Sequence, residues 1–207
     1  MARSRPAAER GPTPLQLQLA GSTEARRRTG LDAFLAARRT FLAAERVDMS
    51  ALAERLGVNR VTLYRWVGSR EQLLVEVIWS LAERTLDNLR AEVDERGGER
   101  VVQVVSRFID QVLRNPGMSR FLAEEGELAM RILTWTDMGF QPRLIADHQS
   151  MLEHEFALGT LDLPPDLHYD VAYTIVRIVE SYVYLDRITG EEPDARRAER
   201  VLRLLLR

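Results

Sequence analysis

From Thr29 onward, apolar residues recur three and four positions apart along almost the whole chain, and no stretch alternates apolar with polar for long. That period belongs to amphipathic helices and not to strands. Leu31, Phe34, Leu35, Phe41 and Leu42 predict a first helix over about 29–46. Asp48 is placed to cap a short second helix carrying Leu52, Ala53 and Leu56, which Gly57 ends. A third, of barely two turns, spans about 59–66 and stops at Gly68; Ser69 with Gln72 three residues later then makes a capping box for the next.

The fourth helix, about 70–95, changes its apolar face partway along. Leu73, Leu74, Val77, Ile78 and Leu81 share one stripe, whereas Trp79, Ala82, Leu86, Leu89 and Val93 share another. The two are rotated by roughly a third of a turn at about 100° per residue. A helix with two successive buried faces packs first on one body and then on another, so this one is the candidate mechanical link between two domains.

Beyond Gly97-Gly98 the pattern predicts helices over about 99–114, 116–124, 126–135, 141–158, 165–188 and 193–207, several opened by a proline. The fold class is all-α, without internal repeats. Residues 1–28 hold Pro6, Pro12, Pro14, Gly11 and Gly21 and read as a basic arm ending in Arg26-Arg27-Arg28. Such an arm is either a solvated tail or a segment that touches DNA phosphates or the minor groove. The division expected is an arm over 1–28, a first domain over 29–75 and a second over 76–207.

Composition narrows the function. Hydrophobic residues are 45% of the 207 and charged residues 29%, a globular balance. There is no cysteine, which removes disulfides, thiolate metal sites and Cys nucleophiles together. No apolar run reaches the roughly 18 residues of a membrane span, and the N-terminus has no signal-peptide pattern, so the expectation is a soluble cytoplasmic protein with no membrane partner. The net charge of -2 conceals a division. Residues 1–70 carry 13 Arg against 6 acids, and residues 71–207 carry 16 Arg against 25 acids. A basic segment on an acidic body suits an anionic partner that only one end should touch.

The segment Asp48–Arg70, DMSALAERLGVNRVTLYRWVGSR, carries the chemistry. A helix-turn-helix needs small or apolar residues where its two helices meet, a residue able to turn tightly, and a short second helix with polar and basic side chains outward. Ala53, Gly57 and Leu63 fall at the spacing of contact, turn and buried residue. The short helix then presents Arg60, Thr62, Tyr64, Arg65 and Trp66, with no acid between Asn59 and Arg70.

Over about residues 30–82 the chain resembles the DNA-binding domain of the TetR family of bacterial transcriptional regulators. Gly57-Val58 stands in the turn, Thr62-Leu63-Tyr64 on the recognition helix, and Arg70 with Leu73-Leu74 opens the fourth helix. The stretch LYRWVGSREQLL…WSLAERTL is similar to the subgroup that regulates quorum-signal (γ-lactone) degradation. The resemblance implies phosphate contacts from Ser50, Tyr64 and Arg70, and base-edge contacts from Arg60, Val61 and Thr62. Arg60 suits guanine O6/N7, and Val61 and the Thr62 methyl suit a thymine methyl. Arg65 and Trp66 would flank the backbone, or Trp66 would wedge against the first helix.

The resemblance further implies a homodimer on double-stranded DNA of near-palindromic sequence. Helices 165–188 and 193–207 would form the interface, being more apolar than burial within one subunit requires. The central helices would enclose a small apolar effector, a lactone or acyl compound, with Phe108, Phe121, Trp135, His148, Leu152, Tyr173 and Arg177 as candidate lining. His148 also reads as a satisfied core histidine. The implied function is a repressor that its effector releases from the operator; a ligand-independent helix-turn-helix protein is the alternative. No cofactor or metal is expected, because His148, His154 and His168 lack ligand spacing. No phosphate loop or nucleophile elbow suggests an enzyme.

Overall fold

A computed structural model describes residues 28–206, and among them every regular element is a helix. The arm expected over 1–28 lies, apart from Arg28, outside the described residues. Helix α1 (Gly30–Leu42) opens on a capping box between Thr29 and Asp32 and buries Ala33, Ala36, Ala37 and Phe41. It stops four residues earlier than the periodicity predicts, because Ala43 closes the helix and Ala44 adopts a positive φ of 56°. The Asp48 carboxylate caps α2 (Met49–Leu56) by accepting from the Ser50 and Ala51 amides. Left-handed Gly57 turns the chain toward α3 (Arg60–Val67), whose first turn Asn59 caps by accepting from the Thr62 amide at 2.7 Å.

Helix α4 (Arg70–Glu92) starts with the Ser69–Gln72 capping box. It packs on α1 and α3 on one side and on α5 (Gly97–Arg114) on the other. Its buried residues run from Leu73, Leu74, Val77 and Ile78 to Ala82, Leu86 and Leu89, the shift of face anticipated from sequence. The Gly97-Gly98 pair is the first turn of α5 and not a break before it. A Cβ at Gly97 would come within 2.1 Å of the Thr160 carbonyl oxygen, and one at Gly98 within 2.1 Å of that of Leu206. Only glycine allows these backbones so close.

Then follow α6 (Pro116–Glu124), α7 (Gly126–Thr134), α8 (Phe140–Ala157), α9 (His168–Val183), α10 (Leu185–Thr189) and α11 (Ala195–Leu205). The single helix predicted over 165–188 is in fact three pieces. Pro165–Leu167 form a 3-10 turn, and Tyr184 leaves helical geometry at φ -100°, ψ 16° before α10 begins. Helices α5, α8, α9 and α11 form the body. The buried Glu155 carboxylate fastens α8 to the start of α5, accepting from the Gly97 amide at 2.7 Å and lying 3.3 Å from Arg100 Nε. No helix among the described residues is long and apolar enough to cross a membrane.

Candidate nucleic-acid interface and effector cavity

Two places stand apart from the packed core: the outer face of α3 and a cavity inside the body. On α3, Leu63 alone is fully buried and anchors the helix, so the opposite face points to solvent. Arg60, Val61, Tyr64 and Arg65 are exposed on it, Val61 at 77%. The Arg60 guanidinium lies 5.9 Å from the Tyr64 ring centre, a cation–π contact that holds both side chains together before any partner arrives. Thr62 is half-buried beside the Asn59 cap. Ser50 is exposed in the first turn of α2, beneath a carboxylate (Asp48) that the Ala51 amide holds below its ordinary range.

Arg70 and Trp66 both make contacts within the subunit. The Arg70 side chain turns inward, its Nε donating to the Val47 carbonyl at 2.6 Å and its Nη2 lying 2.7 Å from Glu125 Oε2. Glu125 sits between α6 and α7 and also accepts from Arg120 at 3.1 Å. The guanidinium is thus engaged within the subunit by a carboxylate and a carbonyl. Trp66 is half-buried and backs onto the start of α1, where a Cβ on Gly30 would lie 3.5 Å from its own Cβ.

The cavity, about 120 Å³, lies between α4, α5, α8 and α9. Ile78, Phe108, Val112, Phe140, Leu144 and Val183 supply most of its wall. Polar groups reach it from Thr85, Gln111 and Asn115, and from Glu180 and Tyr184 at the end of α9. Glu180 is 7% exposed, pairs with Arg177 three residues before it, and accepts a long bond of 3.4 Å from Gln141. Burial pushes its carboxyl above the ordinary range. Tyr184 is 2% exposed, and its hydroxyl has no hydrogen-bond partner.

Of the seven side chains expected to line a ligand site, Phe108 alone faces this cavity. Phe121 instead meets Phe41 of α1 edge-on at 5.9 Å, because α6 packs on α1. Trp135 caps α7 and is 55% exposed, and Tyr173 is 44% exposed on the outer face of α9. Leu152 and His148 are fully buried in the body core. The His148 Nδ1 donates to the Leu144 carbonyl at 2.8 Å, its Nε2 has no partner, and burial lowers its pKa. Arg177 is half-exposed and reaches the site only through Glu180. Sequence reasoning passed over Glu180 and Tyr184, although a carboxylate between Val176, Val179 and Val183 was a legible irregularity in an apolar stripe. Among the described residues no three of His, Asp and Glu gather as a metal site.

A family model described as tetracyclin repressor-like, C-terminal domain, matches residues 96–207. Among solved structures, the transcriptional repressor QsdR of R. erythropolis, from the TetR family, is similar with a TM-score of 0.77 and 27% identity over 86% of this chain and 93% of that one. The TetR family repressor AlkX from Dietzia sp. strain DQ12-45-1b, implicated in biodegradation of n-alkanes, shares the fold, with a TM-score of 0.61 and 20% identity over 87% of this chain and 95% of that one. No curated protein matches the sequence.

Proposed function

Because the chain belongs to the TetR family of transcriptional regulators, we propose that it is a repressor that occupies a near-palindromic operator as a homodimer and leaves it when a small apolar effector fills the body. The reading divides the chain into a DNA-binding domain over 29–75 and an effector and dimer domain over 76–207. The observation that carries it is the outward face of α3, where Arg60, Val61, Tyr64 and Arg65 are exposed. Arg60, Val61 and Thr62 at the helix start would meet base edges, and Ser50, Tyr64 and Arg65 the flanking phosphates.

Two-fold symmetry would place a second α3 about one DNA turn away, roughly 34–36 Å. The exposed apolar side chains of α9 and α11 support the dimer: Tyr169, Tyr173, Val201, Leu204 and Leu205 are each between 39% and 66% exposed in the single subunit. Exposed apolar side chains that share two adjacent helices suit contact with a partner. The cavity supports effector control over the ligand-independent alternative, because α4 contributes Ile78 and Leu81 to its wall and Arg70 to the reading head. An effector that moves α4 would tilt α3 relative to its twin, and a coupling of about 1–3 kcal/mol would alter operator affinity roughly 5–150-fold.

The test is selection of bound duplexes from a random DNA pool. An inverted repeat with half-sites one turn apart supports the reading; recovery of unrelated duplexes at low salt overturns it. A second titration of the selected operator with apolar compounds distinguishes effector release from constitutive binding.

A further inference from the structure

Arg70 opens α4 and is separated from the end of α3 only by Gly68 and Ser69. Its Nε donates to the Val47 carbonyl, just before the Asp48 cap, so the guanidinium lies at the start of α2, where Ser50 is exposed. Arg46 stands beside it with its side chain 69% exposed, its Nε 3.9 Å from the same Glu125 oxygen that Arg70 meets. Two arginines at the edge of the reading head thus converge on Glu125 Oε2. That carboxylate belongs to the body. It sits between α6 and α7, Arg120 donates to its other oxygen, and Arg187 of α10 donates to the neighbouring Leu122 and Ala123 carbonyls.

The Arg70–Glu125 contact is close but incompletely made. Arg70 Nη2 is buried 2.7 Å from Oε2, yet the two are not aligned for a hydrogen bond and Nη2 has no other partner. Separating them strands no carboxylate, because Glu125 keeps Arg120 on one oxygen and has Arg46 near the other. A phosphodiester offers a guanidinium the same paired anionic oxygens as a carboxylate does. We infer that Glu125 is an internal stand-in for an operator phosphate: it competes with DNA for Arg70 and holds operator affinity below what the head alone would reach. The inference rests on the DNA-binding reading above. It gives the body an electrostatic hold on the head that is separate from any tilt of α4.

The test titrates the selected operator over a salt series with the full chain and its variants, each shown by melting to be folded at the working temperature. Glu125→Gln keeps the shape of the side chain and removes its charge. It is expected to raise operator affinity about three- to tenfold, the worth of one modest polar contact, and to steepen the log–log salt slope by about 0.9, the mark of one added phosphate contact. Glu125→Asp, which withdraws the carboxylate by one methylene, should move both quantities the same way by less, and it serves alone if the Gln variant does not fold. With Arg70→Gln in place, neither substitution should change affinity or slope, because the arginine under competition is gone. Glu124→Gln removes a neighbouring charge that pairs with Arg120 and should leave the slope as it was. Affinity unchanged or lowered by the Glu125 variants, a gain without a steeper slope, or an equal gain in the Arg70→Gln background or from Glu124→Gln overturns the inference, while operator binding by the unaltered chain preserves the DNA-binding reading. An unaltered chain that selects no operator overturns both.

Discussion

Arg70 Nη2 lies 2.7 Å from Glu125 Oε2, which ties the first residue of α4 to the junction between α6 and α7. The same guanidinium donates to Val47 on the other side, so one side chain joins the reading head to the body. Both partners are mostly covered, at 15% and 12% side-chain exposure, and Arg120 shares the carboxylate. Glu125→Ala removes the shared carboxylate from Arg70, which keeps the Val47 carbonyl, and from Arg120, which keeps Glu124, and is expected to cost about 1–3 kcal/mol in urea denaturation. A cycle with Arg70→Ala should be strongly non-additive. Additive single effects would mean that the pair carries no interaction.

A second joint lies at the opposite end of α6. A Cβ on Gly117 would stand 2.1 Å from the Phe41 carbonyl oxygen, a backbone atom that cannot swing aside. Gly117→Ala should therefore force α6 off α1, disturb the Phe41–Phe121 edge contact, and lower stability by about 1–3 kcal/mol. An unchanged melting temperature would contradict so close an approach.

Acid should loosen the body through His148. Burial holds this imidazole below its ordinary 6.5, so as pH falls through 6.5 the unfolded chain takes up a proton that the folded chain refuses. The stability it contributes is present above that pH and lost below it, at up to about 1.4 kcal/mol per pH unit. Glu180 works in the opposite sense, since its raised carboxyl favours the folded state as pH falls toward 4.5. Comparison with His148→Leu isolates the histidine: between pH 7 and 5 the wild-type midpoint in urea should fall more steeply than the variant's. Parallel profiles would show that His148 does not titrate differently on unfolding.

On the reading face, Arg60→Ala and Arg65→Ala should differ in kind. Arg60→Ala should cost about 1–3 kcal/mol on the selected operator and relax the preference at one base pair of each half-site. Arg65→Ala should weaken all duplexes alike and reduce the salt slope by about one unit. Gel-shift titrations over a salt series on operator and single-base variants distinguish them, and identical behaviour of the two would undo the assignment of roles.

Leu204 is 66% exposed on α11, so a charge there should leave the subunit's fold alone. Leu204→Arg is expected to turn the proposed dimer into monomer by sedimentation, with the melting transition kept cooperative. A dimer of undiminished strength would move the interface elsewhere.

The reading head was legible from sequence because its signals are local. Asp48, Asn59 and Ser69 each cap the helix that follows within three residues, and Gly57 turns within one. The sequence resemblance reached residues 30–82, where such local chemistry is dense, whereas the family model matched 96–207, where single-sequence reading found only helical periodicity. The break at Tyr184 escaped notice because nothing in the residue itself forbids a helix; its side chain is buried at the cavity end, in a packing no periodicity encodes.

Cavity lining followed the same division. Trp135, Tyr173 and Leu152 looked like lining because they are apolar on helices of the right region, yet one helix face cannot tell which neighbour it will meet. Taken alone, the chain specified the helices, their caps, the two-faced α4 and the acid-free outward face of α3, since each depends on contacts a few residues apart. Tertiary structure alone decided that Arg70 turns toward Glu125, 55 positions along the chain, and that Glu180 of α9 and Tyr184 just after it close a cavity begun by Ile78 of α4. Those outcomes depend on how whole helices stack, a sum over many weak contacts that no short spacing records.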